Sequence, residues 1–253
     1  MMGYTHAAIG AAGALAATML SSEDLTPGLY VVAVVAGVLG GIIVDADVVD
    51  KREPNRVTDG SRTRLAGIGI LLIAMLLDAA FKVRLMSGLR TQYTSAFGGV
   101  VALIMLGIIA HLIGRFIGHR TFSHSLWFIG LTTLCVYYIC PPATVYFFTG
   151  AILHLLFDLL NYQAPNKDRS WHGVWLFYPI KRGEGIALRK CKAFGRGNTT
   201  LYFIAIVLLT VITGYYVWLI RNSELIAIPI VLLAVIVIDL HFVRVKSEKE
   251  MQK

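Results

Sequence analysis

Apolar residues run along this chain in long blocks, and the polar residues gather between them. Eight blocks stand out, at residues 4–20, 28–44, 65–81, 96–114, 124–140, 143–161, 201–220 and 225–241. A bilayer core takes about 20 apolar residues as helix, within a range of about 17–25. Each block is therefore expected to be a helix of roughly that reach. Several sit at the short limit, so one or two are candidates for re-entrant or merely buried segments. The expected fold class is all-α, a polytopic membrane helical bundle of about eight apolar segments. No internal repeat and no low-complexity segment interrupts the pattern.

Composition agrees with the blocks. Of 253 residues, 57% are hydrophobic and 15% charged, and the mean hydropathy is +0.69. A soluble domain carries about a quarter charged residues. The net charge of +8 raises the question of nucleic acid, but the basic residues must first be placed against the membrane. With a cytoplasmic N-terminus and eight spans, the inward loops are 45–64, 115–123 and 162–200, plus the tail from 242. They hold five, two, eight and four Lys or Arg, 19 of the 23 in the chain. The positive-inside rule favours that orientation. It places a multi-pass protein in the cytoplasmic (inner) membrane with both termini cytoplasmic, and no direct nucleic-acid partner is expected. The one misfit is the outward loop 82–94 with Lys82, Arg84 and Arg90. The N-terminus lacks the basic start of a signal peptide, so the first helix is expected to be retained. Three cysteines without a CxxC suggest small buried hydrophobes, not a disulfide framework or a thiolate zinc site.

In this topology the polar clusters fall on one side. His6 opens the first helix, Asp45 and Asp47 close the second, His119 and His124 lie between the fourth and fifth, and His154 and Asp158 end the sixth. Ionisable groups near membrane depth are costly and usually face a bundle interior or a cavity. His154 and Asp158 are four apart, so one helix face carries both, as in helical His/carboxylate metal sites. The bland alternative is a helix-end hydrogen bond between them. Asp45 and Asp47 are two apart and reach one site only if the helix ends there and the backbone turns. Gly40 and Gly41 just before them permit close packing or a bend. The alternative is a solvated helix end, although negative charge there opposes the helix dipole. In His119-Arg120-Thr121-Phe122-Ser123-His124-Ser125 the two imidazoles are five apart, which implies a turn, with Ser123 a reasonable N-cap for a helix starting at His124. An interfacial basic turn is the competing reading. His111 is expected to be a satisfied core histidine and His241 structural. The strip 171–182 reads as interfacial, with aromatics at headgroup level, and His172 in it is a further possible ligand. Lys181, Arg182, Arg189, Lys190, Lys192 and Arg196 are placed to meet anionic lipid heads.

The order of these pieces resembles the inner-membrane metal-dependent hydrolase family whose members are often labelled LexA-binding. Thr5-His6, Asp45-Ala46-Asp47, the block from His119 to Ser125, and His154 through Asp158 match its motifs in sequence over about residues 1–180. The family commonly writes P-D-I-D-H where this chain has Val44-Asp45-Ala46-Asp47-Val48, so a proline and a potential histidine ligand are missing. The family is distantly similar to zinc-dependent phospholipases C, which implies phosphoester chemistry. The resemblance divides the chain into a membrane-embedded hydrolase-like domain at 1–180, a basic cytoplasmic loop at 181–200, and two further transmembrane helices with a basic tail at 201–253. The last region has no evident counterpart in the family pattern.

The resulting expectation is a membrane-bound metal-dependent hydrolase acting on a phosphoester such as a lipid head group. Divalent ions would be held by His6, Asp45, Asp47, His119, His124, His154 and Asp158. Zinc comes first among them, with manganese or iron as alternatives. Asp47 would act as base and Arg120 would hold the substrate phosphate. Two other classes remain open: an ion or proton transporter using the same His/Asp cluster, and a membrane-anchored binding protein whose partner is a soluble LexA-like regulator, implied by resemblance only. Membrane lipids are the partners expected in every case.

Overall fold

A computed structural model describes residues 3–20, 26–47, 93–117, 120–160, 174–180, 186, 196–219 and 234. Among these the fold is all-helical: α1 (Gly3–Leu20), α2 (Pro27–Ile43), α3 (Tyr93–Phe116), α4 (Leu126–Ile139), α5 (Thr144–Leu159) and α6 (Arg196–Leu219), with short 3-10 turns at Val44–Asp47 and Pro141–Ala143. Six of the eight expected blocks are thus helices. The block at 65–81, and that at 225–241 apart from residue 234, lie outside the described residues. Two helical stretches have the length and hydropathy to cross a membrane, Pro141–Leu159 and Asn198–Trp218, and three apolar helices are shorter, Gly28–Ile43, Gly98–Gly114 and Leu126–Ile139. At 1.5 Å per residue, the 14 residues of α4 extend only about 21 Å. Among the described residues, then, two helices have the reach of a full span and three apolar helices fall short of it.

The helices are apolar on most sides because most of their surface faces either neighbours or an apolar surround. Several of the hydroxyls they carry return to their own backbone. Thr132 donates to the Phe128 carbonyl at 2.8 Å, Thr149 to Val145 at 2.8 Å and Thr210 to Ile206 at 2.9 Å. That pairing satisfies a polar group where no water is available.

Three helices, α1, α2 and α5, form the centre of the bundle. Small residues line their contacts, and Gly41 is one of several tight points. A Cβ placed on it would collide with the carbonyl of His6. Only glycine lets the end of α2 sit this close to the start of α1. Helix α6 lies along α1 and is tied at both ends. Asn198 donates to the Tyr4 hydroxyl at 3.3 Å, and the Tyr30 and Thr213 hydroxyls are 2.6 Å apart. Tyr216 stacks on Tyr30 with centroids 4.6 Å apart. Helices α3 and α4 pack on each other beside this centre. The free thiols Cys135 and Cys140 are buried, as expected of small hydrophobes. His111 differs from expectation: it is exposed on α3, because that helix packs through one face and turns His111 away from it.

Candidate metal centre

The start of α1, the end of α2, the turn before α4 and the end of α5 meet at one end of the bundle. Each contributes one or two polar side chains, and each does so for a local reason.

His6 sits in the first turns of α1 and is buried. Helix α2 stops at Ile43, and the chain tightens into Val44–Asp47, where Asp45 leaves helical geometry with φ −80° and ψ 16°. This is the turn that two carboxylates at a spacing of two require. His124 lies in the turn ahead of α4. The N-cap of α4 is Ser125, whose side chain accepts from the Phe128 N–H at 3.2 Å. Ser123, the cap expected from the sequence, instead places its hydroxyl 3.0 Å from His124 Nδ1. The helix starts two residues later than expected, and His124 stays in the turn. His154 and Asp158 share a face of α5, as their spacing predicts.

Asp158 is 2% exposed, and cationic or N–H groups surround it. Its Oδ1 lies 3.0 Å from His6 Nε2, and its Oδ2 lies 3.2 Å from Arg120 Nη2 and 3.2 Å from His124 Nε2. A carboxylate this deep is tolerated only with such partners. Arg120 is itself buried, and its backbone takes a left-handed φ of 70°. A non-glycine residue rarely accepts that conformation, and where one does the surrounding contacts hold it. Here the Arg120 carbonyl receives the Trp175 N–H at 3.3 Å.

His154 defines the character of the centre. Its Nδ1 lies 2.7 Å from the Gly41 carbonyl, which can only accept, so Nδ1 carries the proton. Nε2 then presents a lone pair. It is buried with no hydrogen-bond partner, and it faces Asp45 Oδ1 at 3.6 Å and Asp158 Oδ2 at 3.7 Å. His124 Nε2 lies 3.7 Å from the same Asp45 oxygen. Lone pairs thus converge on a point between them, which suits a cation. Donors bound to zinc at about 2.0–2.1 Å in a tetrahedron lie about 3.3–3.4 Å from one another. The four imidazole-to-carboxylate separations, from His124 and His154 to Asp45 and Asp158, run from 3.2 to 3.7 Å. The donor set and its spacing fit a divalent ion. Two overlapping triads meet the geometric requirement for an ion, His6/His154/Asp158 and Asp45/His124/His154. The His6 ring stacks on His154 with centroids 3.7 Å apart.

Of the seven expected ligands, the structure gathers five: His6, Asp45, His124, His154 and Asp158. The side chains of Asp47 and His119 lie outside the described residues, as do His172 and His241. Sequence reasoning missed the carbonyl of Gly41 as the group that fixes the His154 tautomer, and it missed the pairing of Arg120 with Asp158. The glycine pair carried a packing signal; nothing in the sequence marked the carbonyl.

The segment Val174–Ile180 closes one side of the centre. Leu126 N–H donates to the Leu176 carbonyl at 2.9 Å, and Val174 and Ile186 exchange both backbone hydrogen bonds at 3.0 Å.

No curated protein and no solved structure matches the chain. A family model does, that of the YdjM inner membrane protein, over residues 1–245. The match runs through α6 and beyond, so the region after residue 200, which had no evident counterpart in the motifs, is part of the family's extent. With its apolar helices and a match over nearly its whole length, the chain belongs to the YdjM inner membrane protein family.

Proposed function

We propose that this protein is a membrane-bound metal-dependent hydrolase that cleaves a phosphoester at the cytoplasmic face of the inner membrane. The observation that carries the reading is the approach of His124 and His154 to the carboxylates of Asp45 and Asp158 at 3.2–3.7 Å, with the His154 lone pair unpartnered and aimed inward. Zinc suits this mixed imidazole and carboxylate set, with manganese and iron next. Such an ion supplies a hydroxide near neutral pH and polarises a phosphoryl oxygen.

The chain's own residues do the rest. Gly41 orients His154, and His6 orients Asp158 by donating to its Oδ1. Such outer contacts fix ligand geometry. A catalytic site keeps one position for water, and four protein donors would fill the tetrahedron. Arg120 offers the release, because its Nη2 lies 3.2 Å from the same Asp158 oxygen that faces the centre. Arg120 draws that oxygen aside, or turns to an arriving phosphate, where a guanidinium binds two oxygens at once. Asp47 takes the role of base. His154 has one free lone pair, so the two overlapping triads share one ligand and hold one ion between them. A second ion needs Asp47 and His119.

Metal content by mass spectrometry on detergent-purified protein tests this. One ion per chain, lost in the His124→Ala/His154→Ala variant, together with turnover of a member of a phosphoester panel, is the expected result. A folded wild type that takes up no ion after reloading, or a loaded one that cleaves no phosphoester, ends the proposal.

A further inference from the structure

The segment that closes the metal centre is oddly apolar on its outer side. Between Val174 and Ile180, the buried residues Val174 and Tyr178 face the protein, while Phe177 is 51% exposed and Ile180 73% exposed. Tyr178 packs against Phe122 and Trp175, with centroids 6.5 and 5.8 Å apart. The segment is therefore anchored from beneath and is not a free loop. The first turn of α4, tethered to Leu176, exposes Leu126 and Trp127 at 43% and 54%. These residues lie at the end of the bundle where the metal centre sits, at the level where helices give way to turns. The sequence continues directly into Lys181 and Arg182, with Arg189, Lys190 and Lys192 close behind. Exposed aromatic and aliphatic side chains followed in the sequence by a run of cations match the headgroup boundary of a membrane with anionic lipids.

We infer that Val174–Ile180 and the first turn of α4 lie in the headgroup layer and form a ramp by which an anionic, lipid-borne phosphoester reaches the centre without leaving the bilayer. The occupant of this surface is the bilayer. Backbone hydrogen bonding joins the ramp to the site directly, since the Trp175 N–H meets the carbonyl of Arg120. A lipid whose acyl chains rest on Phe177 and Ile180 presents its phosphate on the Arg120 side. The delivery half of this inference rests on the hydrolase reading; the membrane contact does not.

Nitroxide labels test the contact. Phe177→Cys and Ile180→Cys are labelled singly in the full chain, with Cys135, Cys140 and Cys191 replaced by alanine, in vesicles containing phosphatidylglycerol. A label at Val207→Cys, on the outward face of α6 where Val207 is 58% exposed, gives the hydrocarbon reference. Both ramp labels are expected to collide more with oxygen than with a water-soluble nickel chelate. Equal or greater collision with the chelate at both positions overturns the contact and favours a soluble protein partner for this surface. Delivery is tested by the Phe177→Ser/Ile180→Ser variant at unchanged metal content. Its hydrolysis of phosphatidic acid in vesicles is expected to fall at least roughly tenfold, since two apolar anchors are lost together, while p-nitrophenyl phosphate is cleaved as before. Equal loss on both substrates, or loss on neither, overturns delivery. A loaded wild type that cleaves neither overturns the hydrolase reading and delivery together, and the labels still decide the contact.

Discussion

Asp158 gathers several of the centre's polar contacts. One oxygen is held by His6 and the other is shared between Arg120 and His124. Asp158→Asn keeps the shape and removes the charge. Ion affinity is expected to drop at least tenfold, read by competition with a chelator of known affinity, because a charged ligand oxygen gives way to a neutral amide. Arg120 predicts the opposite split. Arg120→Lys keeps a positive charge beside Asp158, so metal content should hold. It loses the planar fork that meets a phosphate, so kcat for the phosphoester should fall roughly 100-fold, the scale of one lost transition-state donor. A fall in metal content equal to the fall in rate would place Arg120 among the supports of the ion rather than at the substrate.

At the scale of elements, the centre depends on how near α1 and α2 approach. Gly41→Ala pushes its Cβ into the His6 backbone and shifts the carbonyl that holds His154. Overpacking of this kind costs about 1–3 kcal/mol, so the unfolding midpoint in detergent should fall and ion content with it. An unchanged midpoint would mean that α2 slides without cost. This dependence explains what could be read in advance. The His154 and Asp158 pair was legible because a helix fixes the spacing of four. The turn at Asp45 was legible because a spacing of two on a helix splits the carboxylates. The cap of α4 was misplaced because serines flank His124 on both sides, and the imidazole engages Ser123 while Ser125 caps the helix. The stacking of His6 on His154 and the reach of Arg120 to Asp158 arise only when three helices pack, and no local pattern encodes them. His111 looked like a core residue because its neighbours are apolar, but apolar neighbours also line a surface that faces lipid.

For the whole molecule, charge asymmetry remains the main guide to orientation, since 19 of 23 basic residues fall on the side that would be cytoplasmic. A reporter that works only in the cytoplasm, fused to the C-terminus, is expected to be active, and one that works only outside the membrane to be silent. The reverse pattern would turn the metal centre outward. The donors at that centre come from four places far apart in the chain: position 6, position 45, position 124, and the pair at 154 and 158. An ion held by Asp45, His124, His154 and Asp158 would act as a staple. It closes long loops at once, as a set of disulfides would, and opposes their opening in the unfolded chain. At a free concentration one hundred times its dissociation constant, an ion that binds only the folded state adds about 2.7 kcal/mol of stability. Chelation should therefore make the purified chain easier to unfold and easier to digest, whatever its substrate proves to be. Cells starved of the metal would then have less of this protein, and not merely a slower one.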